Sequence, residues 1–166
     1  KTQVQAPWSK EEAQHAIQLA KNTKLDLFLN IAIFLGLRRG EILGLKWSDI
    51  DYEKGTIKVE RTLKEERRYT QSGKAIVQLV ADTTKTRAST RTLPLETPIL
   101  LALDRHKNAT MFAGLSAGEN WQETEWIFKS AVGTPLAPTN LAKLYKRFCK
   151  THNLRPIRIH DLRHTT

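Results

Sequence analysis

Apolar positions along the chain fall into two textures. From Ser9, the run Ser9-Lys10-Glu11-Glu12 has the spacing of a capping box, in which the Ser9 hydroxyl accepts from the Glu12 amide and Glu12 reaches back. Ala13, Ala16, Ile17 and Ala20 then recur at helical spacing and predict a helix with one apolar face. A second helix is predicted from about Leu25 to Phe34; it is apolar on most sides and so belongs in the core. Gly36 suits its end, because glycine adopts the left-handed conformation at low cost. A short third helix is expected to start near Arg38 and to carry Glu41, Ile42 and Leu45.

After Trp47 the period shortens. Asp51 to Gly55 reads as a turn, and Thr56-Ile57-Lys58-Val59-Glu60 alternates as a half-buried strand does. Lys74 to Val80 and Thr90 to Leu93 are further strands, the latter stopped by Pro94. Between them Asp82 to Ser89 forms a polar, basic hairpin tip, and the highly charged Lys64 to Gly73 is expected to be a mobile loop. Helix returns from Pro98 to about Lys107, and Ala109 to Glu123 shows no clear period and reads as irregular. Trp126-Ile127-Phe128 suits one short strand and Gly133 to Leu136 a turn. Thr139 or Asn140 can cap a helix that sets Leu141, Leu144, Tyr145 and Phe148 against Lys143, Lys146, Arg147 and Lys150. Ile159 to Thr166 begins as helix. The expectation is one α+β domain over residues 1–166, mainly helical, with a small antiparallel three-stranded sheet.

Charge narrows the partners. Lys and Arg number 27 against 17 acidic residues, for a net charge of +10. A compact basic domain attracts polyanions, of which nucleic acid is the commonest, though ribosomal or anionic-membrane partners fit the charge alone equally well. Cys149 is the single cysteine, which rules out an intrachain disulfide framework and suits a reducing compartment. The first residues lack an apolar signal region, and Leu25 to Leu37 is broken by Asp26 and Asn30 and is too short for a bilayer. A cytoplasmic protein without a membrane partner is expected.

Three segments carry side chains suited to phosphate. In Gly36-Leu37-Arg38-Arg39-Gly40-Glu41-Ile42, Arg38 follows a glycine break at a helix N-terminus, combining a guanidinium fork with orphan backbone donors. Glu41, three residues on, shares its face and can orient it. Alone, this could equally be a surface ion pair of little worth. Lys85 sits in the expected hairpin tip, where a solvated loop lysine is the simpler reading. In His160-Asp161-Leu162-Arg163-His164, helical spacing puts His160, Arg163 and His164 on one face, with Arg163 suited to non-bridging oxygens and His160 to proton transfer. Paired histidines at this spacing also suit zinc, but the glutamate of the zinc-protease motif is missing and Arg163 would repel a cation. His164 also reads as a packed, hydrogen-bonded histidine.

Together these segments resemble a family. GLRRGEILGLKWSDID is similar to the first catalytic box of tyrosine recombinases of the phage-integrase type. TTKTRASTRTLPL resembles their lysine-bearing β-hairpin, FKSAVGTPLAPTNLAKLYKRF the stretch before the second box, and HDLRHTT the opening of that box. The resemblance implies the catalytic core of a DNA breaking–rejoining enzyme that needs neither metal nor other cofactor. It implies that Arg38 and Arg163 clamp the scissile phosphate, Lys85 is the general acid to the leaving 5′-oxygen, and His160 assists proton transfer. Glu41 and His164 would support the site. Arg39, Lys85, Arg87 and Arg91 are expected to touch DNA. The implied partners are double-stranded DNA and other recombinase protomers in a synaptic complex. In the family a nucleophilic tyrosine follows the second box; Tyr52, Tyr69 and Tyr145 all precede it and match no nucleophile context. The expectation is therefore a catalytic domain incomplete at its C-terminus, without the family's N-terminal core-binding domain. A non-catalytic basic DNA-binding module and a type IB topoisomerase relative are the competing readings.

Overall fold

The capping box at Ser9 forms as expected and opens α1, Lys10–Ala20: Glu12 N donates to Ser9 Oγ at 3.2 Å and Ser9 N to Glu12 Oε2 at 2.8 Å. This computed structural model describes residues 5–83 and 90–165. Ala13, Ala16 and Ala20 of α1 are buried. α2, Asp26–Asn30, is buried at every position and runs into a π-helical turn, Ile31–Leu35, which Gly36 ends at φ 62°. α3, Arg39–Leu43, follows at once. The buried rings of Phe28 and Phe128 meet edge to face, centroids 6.3 Å apart.

The β region differs from expectation in its pairing. β1, Ile50–Asp51, and β5, Arg91–Pro94, flank β2, Thr56–Val59, in a three-stranded antiparallel sheet. β3, Arg61–Tyr69, and β4, Ala75–Thr83, form a separate antiparallel ribbon. Residues 64–69, expected in a mobile loop, are thus strand: Lys64 pairs with Glu66 at 2.8 Å and across the ribbon with Asp82 at 2.6 Å, so the charges bond one another. Thr70 and Gly73 close the turn. Among the described residues β4 and β5 do not pair with each other; Thr83 lies opposite Arg61 and Arg91 opposite Val59. The expected hairpin is therefore not formed by its two flanking strands, and the tip itself, with Lys85 and Arg87, lies outside the described residues.

α4, Thr97–Ala117, runs ten residues past its expected end at Lys107, so much of the stretch read as irregular is helix. Its last turns are largely exposed, at Met111, Phe112 and Leu115 among others, and a helix without a buried face shows no period. Trp126 to Phe128 makes only isolated bridging contacts, such as Ile127 N to Leu45 O at 3.1 Å, rather than a strand. α5, Pro138–Thr151, begins one residue before the expected cap: Ala137 is the N-cap and Pro138 opens the helix, where a missing N–H costs nothing. The Thr139 hydroxyl instead donates to Glu65 Oε1 at 2.6 Å. Leu141, Tyr145, Phe148 and Cys149 face inward.

Two long-range clamps fasten the helices. Arg105 of α4 grips the buried Asp26 of α2 through Nε at 2.6 Å and Nη2 at 3.0 Å. Arg155 takes Glu12 at 2.8 and 2.7 Å and the carbonyls of Ala6 and Pro7, while buried Trp8 donates Nε1 to the Arg155 carbonyl at 2.9 Å.

Candidate active site

Arg38 is placed by its neighbours rather than by its own side chain. The buried Leu37 anchors the residue before it, and Arg38 itself is extended at φ −71°, ψ 149°, as the N-cap of α3. Glu41 Oε2 accepts the Arg38 backbone N–H at 2.8 Å. This corrects one expectation, because the Arg38 N–H is satisfied and is not an orphan donor for a ligand. The guanidinium stays mostly free: its side chain is 65% exposed and Nη1 reaches Glu41 Oε1 only at 3.6 Å. Arg39, the first residue of α3, is exposed.

Glu41 is buried, and Arg91 meets it with both prongs, Nη1 to Oε1 and Nη2 to Oε2, each at 3.1 Å. Burial pushes the Glu41 carboxyl up, but the bonds from Arg91 and from the Arg38 backbone outweigh it and hold the group below the usual carboxylate value. Glu41 is thus a fixed anion. Sequence reading assigned Arg91 to DNA and missed this pairing, which no local spacing signals across fifty positions.

His160, Arg163 and His164 lie on a 3₁₀ turn, Ile159–His164, rather than an α-helix. Leu162 and Asp161 point inward and are buried. Asp161 is held by Arg158, Nε at 2.8 Å and Nη2 at 3.2 Å, and these bonds keep its carboxyl below its ordinary value. That leaves His160 and His164 exposed and Arg163 half-buried, with the two imidazoles edge to face at 5.7 Å. The Arg158 partner was legible as an Arg-x-x-Asp spacing but was not read.

The two boxes meet. A methyl built on Gly36 would lie 3.8 Å from the Arg163 carbonyl oxygen, so the backbone before Arg38 passes the backbone of Arg163. Of the expected set, the structure thus joins Arg38, Glu41 and Arg91, and the turn that bears His160, Arg163 and His164 passes Gly36, two residues before Arg38. The tyrosines stand apart in character. Tyr52 and Tyr69 are exposed, the latter at the far end of the β3–β4 ribbon from Arg61. Tyr145 is buried beside Trp8, ring centroids 6.2 Å apart, and burial pushes its phenol far up, the reverse of an activated nucleophile. Among the described residues no group of three or more His, Cys, Asp and Glu side chains is arranged to hold a metal. No helix among them is long and apolar enough to cross a membrane.

The fold is a mainly helical α+β core with a small antiparallel sheet. The model of the phage integrase family matches residues 8–166, and the chain belongs to that family. Two curated relatives are the tyrosine recombinase XerC-like protein of Caldanaerobacter subterraneus subsp. tengcongensis, 31% identical over 161 residues, and the ICEBs1 integrase of Bacillus subtilis, 32% identical over 160. Each match covers 95% of this chain and 41% of the relative, so the chain spans about two fifths of their length. Among solved structures, the Tn1549 transposon integrase in complex with transposon right end DNA shares the fold at a TM-score of 0.77 and 20% identity, over 99% of this chain and 53% of that one. The Lambda integrase bound to DNA matches at 0.57 and 23% identity, over 98% and 50%.

Proposed function

We propose that the protein carrying this chain is a site-specific DNA recombinase and that these residues hold its phosphate clamp. The observation that supports the reading is the approach of Gly36, two residues before Arg38, to the carbonyl of Arg163, so that two guanidinium-bearing segments run side by side. In the attack of a tyrosine on DNA phosphorus, negative charge grows on the non-bridging oxygens. Arg38 and Arg163 stabilise that charge. His160, exposed on the same turn as Arg163, assists the proton transfer, with His164 against it. Lys85 protonates the leaving 5′-oxygen, and a covalent 3′-phosphotyrosine conserves the bond energy, so neither metal nor nucleotide is consumed. Arg39 and Arg87 belong to the basic surface that meets double-stranded DNA. None of the three tyrosines here is the nucleophile, which must come from elsewhere in the protein or a neighbouring protomer of the synaptic complex. The reaction places the protein with the bacterial chromosome or a mobile element, in the cytoplasm.

The test is a suicide-substrate assay on the full-length protein. A covalent protein–DNA adduct is expected from the wild type. Arg38→Ala should cut its rate about 100-fold or more, the usual cost of losing an oxyanion donor. Lys85→Ala should slow cleavage far more than it weakens binding, since leaving-group activation acts only in the transition state. No adduct, or an Arg38→Ala protein as fast as wild type, would leave a non-catalytic DNA-binding module. Relaxation of supercoils without exchange between paired sites would point to a topoisomerase.

A further inference from the structure

A buried carboxylate must have its charge met by partners. Glu41 has two candidates. Arg91 supplies a two-pronged pair at 3.1 Å on each oxygen, the planar fork geometry in which guanidinium binds carboxylate best. Arg38 supplies its backbone N–H at 2.8 Å, while its guanidinium stands off at 3.6 Å and turns most of its surface to solvent. One carboxylate charge is therefore met chiefly by one of two arginines, and the other keeps its charge for something outside the protein.

We propose that Arg91 is a positioning residue: by holding Glu41 in a two-pronged pair, it prevents that carboxylate from capturing the Arg38 guanidinium, which is thereby left to the scissile phosphate. This rests on the recombinase reading above and assigns Arg91 a role in place of direct DNA contact. Arg91 opens β5, opposite Val59 of the central strand, so its backbone is fixed by the three-stranded sheet. Without Arg91, the cation left in reach of the buried anion among the described residues is Arg38, less than 1 Å beyond a close ion pair. Its flexible side chain would fold inward, and substrate would lose it. A misplacement on that scale is enough to cost about 100-fold in rate.

The consequence is a suppression that neither a DNA contact nor a structural strut would show. In the full-length protein, adduct formation on a suicide substrate is measured at single turnover, alongside duplex affinity as a function of salt. A wild type that forms no adduct refutes the recombinase reading itself. Given an adduct, Arg91→Ala should form it about 100-fold more slowly, with affinity and salt slope little changed. Adding Glu41→Gln, which removes the competing anion, should restore at least about 5-fold of that loss, a fraction of what a misplaced group costs. Arg91→Lys, which keeps the charge but not the fork, should fall between wild type and Arg91→Ala. If Arg91→Ala does not fold, the comparison of Arg91→Lys with Arg91→Lys/Glu41→Gln makes the same test, the double variant being expected to cleave faster. The proposal is wrong if Glu41→Gln gives no recovery in either background. It is equally wrong if Arg91→Ala lowers affinity in step with cleavage and reduces the salt slope by about 1, the mark of a lost phosphate contact.

Discussion

Gly40 and Gly44 stand four residues apart on the face of α3 that meets β3, and their lack of side chains sets how closely the Arg38 helix can sit. A Cβ on Gly44 would lie 2.9 Å from the Arg61 carbonyl oxygen and 3.1 Å from that of Gly40. Both obstacles are backbone, and the nearer gap falls about half an ångström short of an ordinary carbon–oxygen contact. Gly44 has φ −82°, ψ 0°, which alanine tolerates, so helix propensity alone favours Gly44→Ala by up to about 1 kcal/mol. Overpacking costs about 1–3 kcal/mol, and Arg61 cannot retreat freely, since Nη1 donates to Gly44 O at 3.1 Å while the same group pairs with Asp49. Steric cost wins, and the expected result is a net loss of about 1–2 kcal/mol, or a Tm drop of about 3–6 °C for a domain of this size. Gly40→Ala meets a different obstacle: its Cβ would lie 2.5 Å from Thr62 Cγ2, a side-chain methyl, and 3.0 Å from Leu63 O. Thr62→Ser removes that methyl and should recover part of the Gly40→Ala loss, while leaving Gly44→Ala unaffected. Thermal and urea melts of the four variants decide it. A Gly44→Ala protein more stable than wild type would show that propensity, not the helix–strand approach, governs this site.

Two further outcomes follow from the clamps. The Arg155 bond and the capping bond from Ser9 hold the Glu12 carboxyl at about 2, below its ordinary 4.5. A depressed carboxylate contributes stability that is fully present above pH 4.5 and lost as pH falls toward 2, so Arg155→Ala and wild type should differ in Tm near neutrality and converge in that window. Because the pair is solvent-screened, the difference should be modest. Arg105→Met should cost about 3 kcal/mol in urea unfolding, because Asp26 is left charged and buried with, among the described residues, the Asn22 N–H and Asn30 amide as its remaining donors. A neutral result there would mean that water replaces the guanidinium.

What the sequence showed and hid divides by range. The Ser9 box, the alanine face of α1, the Gly36 stop and the alternation of Thr56 to Val59 are local, and all four form. The family was legible because the segments that carry the resemblance are contiguous. Strand β3 was hidden because charge at 64–68 reads as solvation, whereas in the ribbon those side chains stay half-buried to exposed and Lys64 bonds Asp82 across it. The end of α4 was hidden because amphipathic period reports burial, and Met111, Phe112 and Leu115 are not buried. The partners of Glu41 and Asp26, fifty and seventy-nine positions away, belong to tertiary structure and leave no local trace.

On the proposed recombinase reading, the 3₁₀ turn at Ile159–His164 separates holding from reacting within six residues. Leu162 is fully buried, and Asp161 is buried with both oxygens on Arg158. These two fix the turn, while His160 and His164 project into solvent and contribute nothing to the core. Replacing a reacting residue should therefore leave the fold intact, and replacing a holding residue should disturb the chemistry indirectly. His160→Ala is expected to keep its melting temperature within about 1 °C, as surface substitutions do, while slowing cleavage about 100-fold or more, the scale of lost acid–base catalysis. Asp161→Ala removes a buried, doubly bonded carboxylate and should lower Tm by several degrees while reducing cleavage through misplacement of Arg163. A His160→Ala protein that melts as early as Asp161→Ala would show that the exposed imidazole holds the turn after all, and the division of labour would fail.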